Sequence, residues 1–296
     1  MRSEFAAYHP TINFLYFTLV LLCSMFFLHP LCLLISLGCS VAYSIVLKGR
    51  KALRFQLMYL LPMMFVAALV NPAFNHEGVT ILAYLPSGNP LTLESIVYGI
   101  AAATMLVAVI SWFSCYNVIM TSDKFIYLFG RVIPALSLIL SMVLRFVPKF
   151  KAQIQVISNG QRCVGRDISN GGIFERARHG LRILSIMVTW ALENSIETAD
   201  SMKTRGYGLP GRTAFSIYTF DKRDKKALTV IGIAGFYTLI GSFLGGTYFR
   251  YFPIMKGVGI SWFSCSVFVA YFILCISPVV IEGWEDRRWK QLQSKI

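Results

Sequence analysis

Ala199-Asp200-Ser201-Met202-Lys203-Thr204-Arg205-Gly206-Tyr207-Gly208-Leu209-Pro210-Gly211-Arg212 reads as the last turns of a helix followed by its stop. Helix-tolerant residues run as far as Arg205 and then give way to three glycines and a proline, the usual signature of a helix C-terminus. Arg205 therefore falls on the final turn, where a cation complements the negative end of the helix dipole. From that position a guanidinium can also make forked hydrogen bonds to acceptors on another surface. Just upstream, Glu193, Glu197 and Asp200 recur at spacings of four and three, so their carboxylates line one face of the same helix.

Working back from this helix end, the last helix is expected to start near Leu184, after a segment Ile173–Arg182 that carries Arg176, Arg178 and Arg182. Salt bridges are expected between the acidic stripe and some of Arg162, Arg166, Arg176 and Arg182. An earlier helix begins near Pro134. Its Leu136, Ile139, Leu140, Val143, Leu144, Val147, Ile154 and Ile157 recur at threes and fours, while Arg145, Lys149, Gln153 and Gln161 fall mostly on another side. Pro148 should kink or split that helix. It runs into Gly160-Gln161-Arg162-Cys163-Val164-Gly165-Arg166-Asp167, then Asn170, Gly171 and Gly172, a second glycine-flanked end dressed with arginines. Asp221 followed by Asp224 has the look of a further helix start.

Outside this central segment the chain is apolar. It is 56% hydrophobic, and its mean hydropathy is +0.61. Runs at about 12–28, 31–47, 56–71, 95–119, 227–249 and 257–281 approach the roughly 20 residues that a bilayer-spanning helix needs. His29 and Pro30 separate the first two. Lys48, Arg50, Lys51 and Arg54 follow the second run, whereas 71–93 holds no Lys or Arg, so the former are expected in the cytosol and the latter outside. Asp123, Lys124 and Arg131 mark the return to the cytosolic side, and Arg287, Arg288, Lys290 and Lys295 in the tail keep the C-terminus there. Arg250 and Lys256 in the last external turn oppose this charge rule mildly.

The expected fold is an all-α integral membrane protein of about six transmembrane helices, multi-pass in the plasma membrane with both termini cytosolic. A cytosolic or membrane-surface region of long amphipathic helices would lie between the fourth and fifth spans. The corresponding organisation is 1–119 with four spans, 120–225 as the coupling-helix region, and 226–296 as a C-terminal hairpin with a basic tail.

The net charge of +14 fits the positive-inside rule, and no nucleic-acid module accompanies it. The seven cysteines mostly lie in apolar runs without zinc-type spacing and read as small buried hydrophobes. No catalytic, metal or cofactor site is expected. The paired carboxylates have no metal-spaced histidine or nucleophile beside them, and His9, His29, His76 and His179 are scattered at or outside the ends of the runs. An intramembrane enzyme would need converging ionisable groups within the spans, which hold mainly Ser, Thr, Asn117 and aromatics. A stand-alone permease or secondary transporter would show charged or broken midplane helices.

The sequence resembles the transmembrane T component of energy-coupling factor transporters, the group that includes the CbiQ-type cobalt and nickel permeases. The resemblance is carried by His9-Pro10, Arg145-Phe146-Val147-Pro148, Gln161–Asp167, Ala199–Tyr207, and Arg212-Thr213. That family carries two short Ala-Arg-Gly signatures at the ends of two coupling helices. The second is matched by Thr204-Arg205-Gly206; at the first stand Cys163-Val164-Gly165, with Arg162 or Arg166 as substitutes for the missing arginine. The resemblance implies that these residues dock two cytosolic ABC-type ATPase subunits, with Pro148, Glu193, Glu197 and Asp200 supporting the coupling helices. It further implies a non-catalytic subunit that reorients a small membrane substrate-binding (S) subunit carrying a vitamin or a transition-metal ion. The absence of a Gly-x-x-x-x-Gly-Lys-Ser/Thr loop agrees that this chain binds no ATP.

Overall fold

A computed structural model describes residues 3–84, 90–130, 133–167, 169, 172–210, 218–259 and 261–293. Arg131, Asn170, Gly171, Gly211, Arg212, Thr213 and Lys295, all singled out in the sequence, lie outside the described residues.

Two His-Pro pairs start the first two helices, α1 (Pro10–Phe26) and α2 (Pro30–Lys48). Proline suits the first helical position because its missing N–H would have no intrahelical partner there. The histidine before it supplies the cap: Nδ1 of His9 accepts from Thr11 N–H, and Nδ1 of His29 from Leu31 N–H, each at 3.3 Å. A single residue, Gly49, separates α2 from α3 (Arg50–Phe74), which contains one π-helical turn at Gln56–Leu60. Lys48 thus ends α2, and Arg50, Lys51 and Arg54 lie in the first turns of α3. A short antiparallel hairpin, β1 (Ile81–Tyr84) and β2 (Pro90–Thr92), leads into α4 (Leu93–Ile119). After it come α5 (Ser122–Gly130), α6 (Pro134–Cys163), α7 (Ile173–Thr204) and α8 (Lys222–Phe243). A second hairpin, β3 (Phe249–Arg250) and β4 (Lys256–Gly257), connects to α9 (Trp262–Gln293).

Among the described residues five helices are long and apolar enough to cross a membrane: α2, α3, α4, α8 and α9. The chain is therefore an all-α, multi-span membrane protein, with its long polar-flanked helices between the third and fourth of these five. The expected count of six included α1, which has 17 residues because the extended backbone at Phe27 and the His29-Pro30 cap close it early. Its length is roughly 25 Å against a hydrocarbon core of about 30 Å.

The residues divide into two compact units, Met1–Phe125 with Tyr218–Ile296, and Ile126–Ile217. The first is organised around fully buried aromatics: Phe5, Tyr16, Phe17, Tyr43, Trp112 and Tyr271. They meet edge to face, as with Phe5–Tyr16 (5.3 Å between centroids) and Tyr16–Trp112 (6.1 Å). Hydroxyls thread this core, because polar groups within the membrane must find partners in the protein. Ser36 Oγ accepts from Trp112 Nε1 at 3.1 Å and pairs with Ser24 Oγ at 2.7 Å, and the Tyr16 hydroxyl donates to the Cys275 carbonyl at 3.2 Å. Gly99 lets α4 lie close against α3; a Cβ there would come within 2.6 Å of the Ala68 carbonyl. Five of the cysteines are buried as expected, but Cys163 and Cys265 are exposed.

At one end of this unit the chain closes on itself through buried polar groups. Glu282 of α9 accepts from the Ser3 hydroxyl and from the N–H groups of Glu4 (3.1 Å) and Phe5 (3.3 Å). Asp224 does more than start α8: it accepts from Asp221 N–H at 3.0 Å and from His9 N–H at 3.3 Å. Lys124 is buried and donates to the carbonyls of Ala6 (2.5 Å) and Ile119 (3.0 Å). A lysine can only donate, so the Asn13 amide is oriented with its oxygen toward Lys124 Nζ at 3.0 Å and its nitrogen toward the Phe5 carbonyl. Burial pushes the Lys124 ammonium down to about 8 from an ordinary 10.5.

The second unit is built on α6 and α7. Pro148 does not split α6, which runs unbroken from Pro134 to Cys163. Likewise Ile173–Arg182 is not a separate segment but the first turns of one 32-residue helix, whose Gly172 N–H is taken up by the Glu175 carboxylate at 3.4 Å. The two helices meet where Phe150 packs edge-on against Trp190 (5.6 Å) and Lys149 Nζ reaches Asn194 Oδ1 (2.5 Å).

Candidate functional site: two matching helix ends

The C-termini of α6 and α7 have the same construction, built from the same local chemistry. In α7 the cap residue is Arg205 (φ −82°, ψ 8°), and Gly206 follows in the left-handed region at φ +77°. Gly206 N–H donates to the Lys203 carbonyl at 2.9 Å and Tyr207 N–H to the Met202 carbonyl at 3.0 Å. In α6 the cap residue is Val164 (φ −93°, ψ 14°), and Gly165 follows at φ +75°. Gly165 N–H donates to the Arg162 carbonyl at 3.0 Å and Arg166 N–H to the Gln161 carbonyl at 2.9 Å. Both are complete Schellman turns, in which two carbonyls left over at the helix end are satisfied by the backbone beyond it. Glycine is required at 165 and 206 because a Cβ in the left-handed conformation crowds the following carbonyl.

Because the two turns coincide bond for bond, they define a correspondence that sequence spacing only suggested. Val164 occupies the place of Arg205, Cys163 that of Thr204, Arg162 that of Lys203, and Arg166 that of Tyr207. Val164 and Arg205 are both exposed, Val164 at 65% accessibility.

The arginines at the α6 end are differently engaged. Arg162 Nε lies 3.1 Å from Asp167 Oδ2, and Asp167 Oδ1 accepts from Ser169 N–H at 3.0 Å. The Ser169 hydrogen bonds, and then Arg162, hold the Asp167 carboxyl down at about 2. Arg162 is thereby drawn back over its own loop, while Arg166 is half-buried.

The acidic stripe does not behave as the spacing suggested. Glu193, Glu197 and Asp200 are all exposed, and among the described residues no salt bridge joins them to Arg162, Arg166 or Arg182; Asp200 lies 3.9 Å from Lys203 on its own helix. Arg162 closes α6 and Arg166 follows it, while Arg182 sits eleven residues before Glu193 on α7. Apolar side chains are exposed on the same two helices, among them Val147 and Val156 of α6 and Phe174, Leu181, Leu192 and Ile196 of α7, the last four each more than 60% accessible. Among the described residues no group of three His, Cys, Asp or Glu side chains could hold a metal ion.

Comparison with known proteins places these helix ends in context. The sequence profile of CbiQ, described as a cobalt transport protein, matches residues 4–215. The chain is 33% identical over 118 residues to the energy-coupling factor transporter transmembrane protein EcfT of Lactobacillus helveticus, covering 40% of this chain and 41% of that protein. It is 32% identical over 119 residues to the protein of the same name from Leuconostoc gelidum (40% and 44% covered), and 34% identical over 90 residues to that of Lacticaseibacillus paracasei (30% and 34%). The chain spans between 34% and 44% of the length of these curated relatives. With 212 of its 296 residues inside the matched range of a single family, both helix ends among them, the chain belongs to the CbiQ family of membrane proteins.

Proposed function

We propose that this chain is the non-catalytic transmembrane energy-coupling subunit of an energy-coupling factor ABC importer. In this reading α6 and α7, within a coupling region at 120–225, dock two cytosolic ABC-type ATPases and pass their movement to a small membrane S subunit that carries a vitamin or a transition-metal ion. The pair of matching Schellman ends carries the proposal: two rigid helices finish in the same exposed turn, and rigid helices transmit a displacement better than loops do. Arg205, with Thr204 and Gly206, is the docking group at one end. Val164 and Gly165 form the other, where Arg166 supplies the cation because Arg162 is held by Asp167.

The exposed apolar side chains of α6 and α7 would be covered by the S subunit or by lipid, since patches of this extent mark interaction surfaces. The stripe Glu193, Glu197 and Asp200 would meet cations outside this chain, and Pro148 would set the course of α6. Counting α1 as a short sixth span puts the coupling region between the fourth and fifth, and the cations of α3, α8 and α9 then put both termini in the cytosol.

Affinity purification through this chain followed by mass spectrometry of the intact complex tests the assignment. Two ATPase subunits and one small membrane protein are expected, together with ATP-dependent uptake in liposomes only when all are present. Uptake by this chain alone would replace the proposal with a stand-alone permease.

A further inference from the structure

The β3–β4 hairpin carries Arg250 and Lys256, the two cations that run against the charge rule set by the other loops. They are direct partners in its register, and both are exposed. Side chains directly opposite on an antiparallel pair share a face, where like charges repel. Among the described residues neither cation joins a salt bridge, and no Asp or Glu occurs in the sequence between Asp224 and Glu282. Arg250 Nε donates to the Phe252 carbonyl, a neutral acceptor that leaves the charge uncompensated. Of the other titratable groups around the hairpin, His29 packs on Phe249, on the opposite face. Glu77 and Glu94 belong to the connection between α3 and α4, where Glu94 accepts from Thr80 Oγ1 at 2.9 Å and Thr80 N–H at 3.2 Å.

Alternation along the strands puts Tyr248 and Val258, joined by Val258 N–H to the Tyr248 carbonyl at 3.2 Å, on the face of Arg250 and Lys256. Tyr248 and Val258 line a cavity of about 390 Å³ that the end of α8 and the start of α9 close. The acceptors at the α8 end are used: Gly245 N–H donates to the Ser242 carbonyl at 2.9 Å and Gly246 N–H to the Gly241 carbonyl at 2.8 Å. α9 starts with no acidic residue in its first turn, so the positive end of its dipole opposes the negative end of α8. The two cations then decide the sign of the site. Ser264, 2% accessible, lines the same cavity, and its hydroxyl has no hydrogen-bond partner among the described residues. A buried hydroxyl is costly to leave so, and an anion would accept from it.

We infer that this pocket binds the phosphate of one anionic phospholipid, with Arg250 and Lys256 on its oxygens and the Ser264 hydroxyl donating from the cavity wall. A lipid is the source because the pocket opens at the ends of two spans, beside Phe243 and Trp262, which are 94% and 95% exposed. Tryptophan favours the headgroup level, since its ring is apolar and its N–H is polar. On the topology proposed above this is the external face, but the site rests on the geometry of α8, the hairpin and α9 and stands whether or not the chain couples ATPases.

The test uses the full chain, purified with whatever subunits it retains, in phosphatidylcholine nanodiscs that expose both faces. Trp262 fluorescence is the readout, and the Trp262→Phe variant identifies its signal. Brominated phosphatidylglycerol should quench Trp262 at a mole fraction roughly 25-fold lower than brominated phosphatidylcholine, about fivefold for each cation near the surface. Arg250→Gln or Lys256→Gln should each cut that preference about fivefold and the double variant should abolish it, whereas Arg250→Lys should keep it. Ser264→Ala should weaken quenching by phosphatidylglycerol and leave that by phosphatidylcholine unchanged. Equal quenching by both lipids in the native chain, or a preference that survives the double variant, would overturn the inference. So would the absence of a lipid preference together with saturable binding of inorganic phosphate, which would assign the pocket to a free anion.

Discussion

Replacing Arg205 by glutamate should separate the role of this residue in the fold from its role in docking, because the two are expected to differ greatly in size. Within the chain, the side chain is exposed and its backbone position is held by Gly206 N–H to the Lys203 carbonyl and Tyr207 N–H to the Met202 carbonyl, neither of which the substitution removes. What changes is a favourable charge at the helix C-terminus becoming an unfavourable one. Each is worth about 0.3–1 kcal/mol and is screened by salt, so this change in the helix-end charge costs about 0.6–2 kcal/mol. At a docked interface the same change removes a fork of donors and sets a carboxylate against the acceptors it served. That costs about 2–5 kcal/mol where the pair is desolvated, or roughly 30-fold to several thousand-fold in affinity. The assay is co-purification of the ATPases with the tagged chain, run beside thermal unfolding of the chain in the same detergent. ATPase should be lost while the unfolding midpoint hardly moves. Full ATPase recovery with Arg205→Glu would refute a docking role, and loss of the ATPase together with a collapse of the midpoint would show that Arg205 acts through the fold instead.

The other predictions concern the matching helix end and the buried clasp. Val164→Arg restores at α6 the group that α7 has at the corresponding place, so it should retain or raise ATPase recovery; loss of assembly would show that the valine itself is the contact. Gly206→Ala, forced to φ +77°, should cost about 1–2 kcal/mol and speed hydrogen exchange over Met202–Tyr207, with little change in the membrane unit. Lys124→Ala leaves the carbonyls of Ala6 and Ile119 without their donor and should destabilise the chain by about 1–3 kcal/mol in thermal or denaturant unfolding. Since burial lowers the Lys124 pKa to about 8, the unfolded chain binds more protons between pH 8 and 10.5. The contribution of Lys124 to stability should therefore rise with pH across that window, and the difference in stability between the native chain and Lys124→Met should shift in that direction from pH 8 to 10.5.

What could be read along the chain was whatever depends on near neighbours. The apolar runs located the spans because about 20 consecutive residues decide whether a helix partitions into lipid, and glycines after charged turns located the ends of α6 and α7 because the stop is a local conformational event. Boundaries set by competing local signals were read less well. His29 caps α2 as well as interrupting the run, so α1 closes at Phe26. The arginines of Ile173–Arg182 suggested a break where α7 runs through. The stripe of Glu193, Glu197 and Asp200 was recognisable as one face, since that follows from the helical repeat. Among the described residues no salt bridge joins it to Arg162, Arg166 or Arg182, since partners depend on how α6, α7 and their connecting loop lie in space.

The sequence by itself determined that this is a multi-span helical membrane protein with two glycine-terminated helix ends, because hydrophobic length and left-handed glycine positions are properties of short stretches. Only the tertiary structure decided that Arg162 is diverted to Asp167, and that Lys124, Asn13, Asp224 and Glu282 close one end of the membrane unit. Those contacts join residues that lie from five to nearly three hundred positions apart, and no local pattern of charge or periodicity encodes which of them will be brought together when the helices pack.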